Sequence, residues 1–311
     1  MKIATFTHGG KTRIGKVLDD EILDLSQVCP GLPTEMVSFL AAGEEAMEAA
    51  RRASGRPGAI YPLRAVRLQA PVQSPRKFLA VGFNFHDHVE EVRRVPALKD
   101  LQIPEVPVFF NKQVTCINGP FDGIELPKAS SQLDYEVEIL VVIGKRCRHV
   151  SQADAHKVIA GYCVLNDVSV RDWQRASPTM TMGKSFDTHG PIGPWLTTSD
   201  EVDPDKGLWL RTWVNGELRQ DGNTRDMVRS VARQIEYLST AFTLEPGDLI
   251  ATGTPAGVGV LMSPQQFLKV GDVVRVEVEG LGSIENTVVE AVGGPQGKGE
   301  VSGIGRPSIR R

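Results

Sequence analysis

Twelve consecutive residues constrain this chain more than any others: Leu133-Asp134-Tyr135-Glu136-Val137-Glu138-Ile139-Leu140-Val141-Val142-Ile143-Gly144. The run reads as an apolar strand with carboxylates at alternate positions. Side chains two apart in a strand share a face, so Asp134, Glu136 and Glu138 point the same way. The last two lead into an aliphatic stretch where burial is expected. Neighbouring buried carboxylates repel and lose hydration, which is costly unless a cation compensates. A further acid, Asp167, closes the apolar run that begins at Gly161. Glu136, Glu138 and Asp167 contain no His or Cys among them, and an all-oxygen set favours Mg²⁺ or Mn²⁺ over zinc. An ordinary half-exposed strand with a solvated acidic face shows the same alternation, so both readings fit it.

The rest of the 311-residue chain narrows the class. Its net charge is −3 and no basic stripe with interleaved aromatics occurs, which argues against nucleic acid as a partner. No stretch approaches the ~20 apolar residues of a membrane span. The first ten residues have no apolar core of signal-peptide length. Cysteines at 29, 116, 147 and 163 form no C-x-x-C pair and read as reduced thiols, so the expected location is cytoplasmic. Thirty-one glycines and 20 prolines imply many tight turns, as a β-rich fold requires.

Residues 1–70 read as a small α+β unit of short strands followed by helices near 34–41 and 44–52, with the boundary at Ala70-Pro71 to Ser74-Pro75. Strand signals dominate 71–292, and Asn215-Gly216 marks a hairpin turn. Helices are expected at 153–159 and 230–241, and one opens after Asn84 as N-cap. The Gly-rich stretch 293–311 reads as a surface loop and tail.

Three further segments carry chemistry. On the helix after Asn84, His88 and Glu91 lie three apart and share a face. A carboxylate beside an imidazole fixes its tautomer and makes a general base, although a plain surface helix has the same spacing. The segment 92–104 that follows suits a lid. Lys184, between Gly183 and Ser185, reaches toward an anion or is a surface lysine. It is not part of a phosphate loop, because that pattern needs glycine where Pro178 stands. In Thr252-Gly253-Thr254-Pro255-Ala256-Gly257-Val258-Gly259 the glycines let backbone approach a ligand, and Thr254 offers a hydroxyl. Arg171 and Gln174, just beyond Asp167, would lie near any metal bound there; for Arg171 a structural ion pair is equally open.

Taken together, these motifs resemble the fumarylacetoacetate hydrolase superfamily. Gly82-Phe83-Asn84-Phe85-x-Asp87-His88, Asp134-Tyr135-Glu136-Val137-Glu138, Asn166-Asp167-x-x-x-Arg171-Asp172-x-Gln174, Gly183-Lys184-Ser185-Phe186-Asp187 and the 252–259 segment follow in order over residues 75–290. The resemblance implies an α+β, β-rich fold: a mixed β-sandwich or β-roll catalytic core over 71–292 with a small N-terminal domain. It implies Mg²⁺ or Mn²⁺ on Glu136, Glu138 and Asp167, and His88–Glu91 as water activator on a lid helix. Lys184 would stabilise negative charge. Arg171, Gln174, Thr254 and Lys112 would bind substrate, and a homodimer is usual. The expected reaction is hydrolysis of a C–C bond in an acylpyruvate-type 1,3-diketo acid, giving pyruvate and a carboxylic acid through an enolate. Oxaloacetate decarboxylation, and 2-keto acid hydratase, isomerase or lyase chemistry, use the same platform. A non-catalytic dicarboxylate-binding protein is a further alternative, and the His88–Glu91 pair argues against it.

Overall fold

A computed structural model describes residues 1–293; nearly all of the tail expected at 293–311 lies outside them. The strands in chain order are β1 (Lys2–His8), β2 (Lys11–Leu18), β3 (Glu21–Asp24), β4 (Ile60–Pro62), β5 (Phe78–Gly82), β6 (Val108–Asn111), β7 (Val137–Ile143), β8 (Ile159–Asn166), β9 (Gly190–Thr198), β10 (Trp209–Val214), β11 (Glu217–Asn223), β12 (Leu249–Ala251), β13 (Val273–Val278) and β14 (Gly282–Glu290). The α-helices of six residues or more are α1 (Met36–Ala41), α2 (Glu44–Arg52), α3 (His86–Arg93), α4 (Arg171–Ala176) and α5 (Val231–Ala241). The fold is α+β and β-rich, as expected.

The main sheet runs β4-β3-β2-β1-β9-β8-β7-β12-β5-β6, antiparallel throughout except for the β12–β5 pair. A second sheet runs β11-β10-β13-β14 and ends on the short strand Ile124–Leu126. The strand β7 lies at the centre of the main sheet, and its sequence explains why. Val137, Ile139, Val141 and Ile143 pack into the core between the two sheets, while Leu140 and Val142 pack into the core on the opposite side. Burying each such side chain contributes about 1.5–3 kcal/mol, so a strand apolar on both faces is stable only between two layers.

The second core also takes in Met1, Ile3, Ile14, Leu25 and Phe39 beside Phe78 and Leu249. The unit expected over residues 1–70 thus extends the main sheet and shares its core, through the antiparallel β1–β9 pairing. Local signals placed other elements well. Asn215 and Gly216 both have positive φ, 51° and 82°, and join β10 to β11 as a two-residue hairpin. Ser230 caps α5 through the amide of Arg233. Two helical expectations differ. Residues 152–158 form a 3₁₀ helix. The N-cap of α3 is Phe85, not Asn84. Asn84 is buried, its amide donating to the carbonyls of Thr252 and Arg229 and accepting from the amide of Arg229.

Candidate active site

Glu138 stands near the start of β7, Glu136 just before the strand, and Asp167 directly after β8. The β7–β8 register pairs Val137 with Asn166, which brings those two strand ends together. Two bonds lock the junction: the Asp167 amide donates to the Glu136 carbonyl (2.8 Å), and the Glu136 amide to the Asn166 side chain (3.0 Å). One carboxylate oxygen from each of Glu136, Glu138 and Asp167 lies within 4.8 Å of the others, and all three residues are buried. The solvated-face reading of the alternation therefore fails.

Three cations balance this cluster. Arg171 donates from Nε to Asp134 (2.8 Å) and from Nη1 to Glu136 (2.6 Å). Lys184 Nζ bridges Glu136 (2.7 Å) and Asp167 (2.8 Å). Lys112 Nζ donates to Asp167 (2.6 Å) and to the carbonyls of Lys184 and His189. Four acids, Asp134 included, thus face three cations, and Glu138 is the acid left over: among the described residues its only hydrogen bond is from the Gly253 amide (2.7 Å). Burial would raise Glu136, yet Lys184 and Arg171 outweigh it and hold its pKa at about 2. Burial and repulsion from Asp167 and Glu136 push Glu138 well above its ordinary value. A hard donor set with one uncompensated buried carboxylate fits a divalent cation such as Mg²⁺ or Mn²⁺; Glu136, Glu138 and Asp167 would hold it.

The helix α3 carries the other half of the site. The His88 Nδ1 lies 3.2 Å from Glu91 Oε2. An ionised carboxylate only accepts, so Nδ1 carries the hydrogen, and in the neutral imidazole Nε2 is then the atom with the lone pair. Glu91 is anchored in turn by the Gly257 amide (3.0 Å), and Asp87 accepts from the Ala256 amide (3.1 Å). His86 is exposed. The loop that supplies these amides needs its glycines: Gly257 has φ +105°, and a Cβ there would lie 2.1 Å from the Arg219 carbonyl oxygen.

A cleft of about 60 Å³ joins the two halves. It is lined by His88, Glu136, Glu138, Arg171, Gln174, Lys184 and Thr254, with Val81, Phe83, Phe110 and Met180 as an apolar wall. Glu91 stands behind His88. Lys112 does not line the cleft; its side chain is fully buried and its three donors are taken, so it holds Asp167 rather than a ligand. Arg171 fits both open readings, since it pairs with two acids and also lines the cleft. The apolar wall and the Asp134–Arg171 pair were not singled out from the sequence, although the alternation at Asp134 was a signal for the latter. A larger cleft, about 250 Å³ between α2 and Lys145, has its Arg51 and Lys145 paired with acids and no acid triad.

Residues 77–289 match the family model for the fumarylacetoacetate (FAA) hydrolase C-terminal region. The chain belongs to the fumarylacetoacetate hydrolase family. It is 41% identical over 281 residues to a mitochondrial oxaloacetate tautomerase from Xenopus laevis, spanning 89% of this chain and 86% of that one. A fumarylacetoacetate hydrolase from psychrophilic Exiguobacterium antarcticum matches at 36% identity and TM-score 0.79, covering 94% of this chain and all of its own. The maleylpyruvate hydrolase from Sphingobium sp. SYK-6, solved in complex with manganese(II) ion and pyruvate, matches at 34% identity and TM-score 0.74 with coverage of 94% and 100%. The family thus contains keto acid enzymes, and in this member the acid triad lies in the segment that the family model covers. Among the described residues no helix is long and apolar enough to cross a membrane.

Proposed function

We propose that this protein is a divalent-metal-dependent enzyme that enolises a short 2-keto diacid of the oxaloacetate class. One observation carries the reading: an imidazole whose tautomer is fixed by Glu91 faces the same small cleft as Glu136 and Glu138. A divalent cation bound there would withdraw electron density from a 2-keto group. The His88 Nε2 lone pair takes a proton from C3, and the C2 oxygen gains one, so the keto and enol forms interconvert with no net loss of atoms. The Lys184 ammonium lies beside the triad and stabilises negative charge on that oxygen. Arg171, Gln174 and Thr254 orient the acid. The small size of the cleft and the name of the Xenopus relative both favour this chemistry.

Acylpyruvate hydrolysis, the reaction expected from the motifs, is the second reading, and the Sphingobium relative favours it. There His88 would take its proton from water, and attack at C4 would break the C3–C4 bond. Enol-oxaloacetate and a panel of acylpyruvates, each assayed with Mg²⁺, separate the two. The first reading expects accelerated loss of the enol ultraviolet band; the second expects pyruvate from acylpyruvates. His88→Gln should lower kcat by about 10²–10⁴, the usual worth of a general base. An unchanged rate would remove His88 from the role, and full activity in EDTA would remove the cation. We further propose a homodimer, which sedimentation would report as twice the chain mass.

A further inference from the structure

Thr254 lines the cleft. Its hydroxyl hydrogen is left free for a ligand by Gln220, a residue of β11 in the second sheet. Gln220 is fully buried, and its carboxamide has four partners. Its oxygen accepts from the Val137 amide (3.0 Å) and the Thr212 hydroxyl (2.8 Å). Its nitrogen donates to the Pro255 carbonyl (2.9 Å) and to Thr254 Oγ1 (2.9 Å).

The two backbone partners settle which way the carboxamide points. The Val137 N–H only donates, and the Pro255 carbonyl only accepts. Exchanging the oxygen and nitrogen of Gln220 would set donor against donor and acceptor against acceptor, in a buried place where unmade bonds are costly. Thr254 Oγ1 is therefore an acceptor toward Gln220. It has one hydrogen left to give, and among the described residues no protein group accepts it. Because Thr254 lines the cleft, a ligand there can accept that hydrogen.

We propose that Gln220 is a positioning residue: by donating to Thr254 Oγ1 it keeps the Thr254 hydrogen free for a ligand, so that this wall of the cleft can bind a carboxylate oxygen. The inference rests on reading the cleft as a keto acid site and names how one end of that acid is recognised. The same carboxamide also fixes distance. Val137 lies between Glu136 and Glu138, so Gln220 ties the donor on the loop to the strand that bears the cation ligands.

Pyruvate binding to the Mn²⁺-loaded protein, followed by calorimetry, tests this. Thr254→Val should raise the pyruvate Kd by about tenfold to a hundredfold, the worth of a hydrogen bond to a charged group. Thr254→Ser should restore it. Gln220→Glu keeps the side-chain shape but presents only acceptors, so the Thr254 hydrogen turns away from the cleft; the Kd should rise by a similar factor. The added charge could do the same, and the double variant separates the causes. If Gln220 acts through Thr254, then Thr254→Val costs nothing more in the Gln220→Glu background. Additive losses would overturn the proposal. Should Gln220→Glu fail to fold, the Thr254 pair still decides: unchanged pyruvate binding in Thr254→Val overturns the inference and leaves the keto acid reading intact. Failure of the unaltered protein to bind pyruvate or oxaloacetate would overturn both.

Discussion

Glu138 and His88 face one cleft from supports of different kinds. Glu138 stands on a central strand hydrogen-bonded to β8 and β12 and packed between two cores. His88 stands on a helix of eight residues whose carboxylates hold two amides of a glycine-rich loop. The acid cluster is thus built into the sheet before any ligand arrives, at the cost of burying one carboxyl that no cation pairs with among the described residues. The base is held by these loop amides and by the burial of Val89 and Val92 on its helix. Sheet and helix thus bring the acids and the imidazole to one small cleft from unlike supports.

Removing a ligand carboxylate should break this comparison most strongly. Glu138→Gln should lower Mn²⁺ affinity by more than the roughly 10- to 100-fold that outer-shell changes cost, read by manganese titration, while leaving the His88 helix in place. Unchanged affinity would refute the site.

Thermal melts of the metal-free protein against pH probe the uncompensated charge itself. The folded pKa of Glu138 lies above its ordinary 4.5, so as pH rises from 4.5 the unfolded chain loses that proton first, and stability falls. Glu136, held at about 2, acts oppositely: its contribution is present above 4.5 and is lost as pH falls toward 2. Glu138→Gln should abolish the decline above 4.5, and Mg²⁺ should abolish it in the unaltered protein. Parallel melting profiles for the two proteins in EDTA would contradict the assignment.

The smallest effect sharpens the other side. Asp87→Asn weakens the bond to the Ala256 amide, worth about 1 kcal/mol. The expected result is about a fivefold lower kcat, faster hydrogen exchange at Ala256, and Mn²⁺ affinity unchanged. A matching fall in metal affinity would show that the helix and the acid cluster are energetically coupled.

Much of this was legible where the physics is local. The Asn215-Gly216 turn follows from two positive φ angles, and the carboxylate alternation from the two-residue period of a strand. His88 and Glu91 are adjacent because a helix makes them so. The Asn84 capping expectation failed because a buried amide with partners at 229 and 252 gains more from them than from its own helix. Gln220 had no signal, since its partners at 137, 212 and 254 are neighbours only in space. Nor could the punctuation at Ala70–Pro71 reveal that β1 pairs with β9, Lys2 lying opposite Thr197 and Ile3 opposite Leu196.

By itself the sequence determined which side chains bear charge, which strand is apolar on both faces, and which motifs place the chain in its family. Those properties depend on residue identity and on spacings of two to four residues. Tertiary structure alone decided that Lys112 is enclosed with Asp167, that Glu138 has no cation partner among the described residues, and that Thr254 accepts from Gln220. Each of these depends on which groups meet after long loops close, and pairing, desolvation and hydrogen-bond direction exist only once they have met.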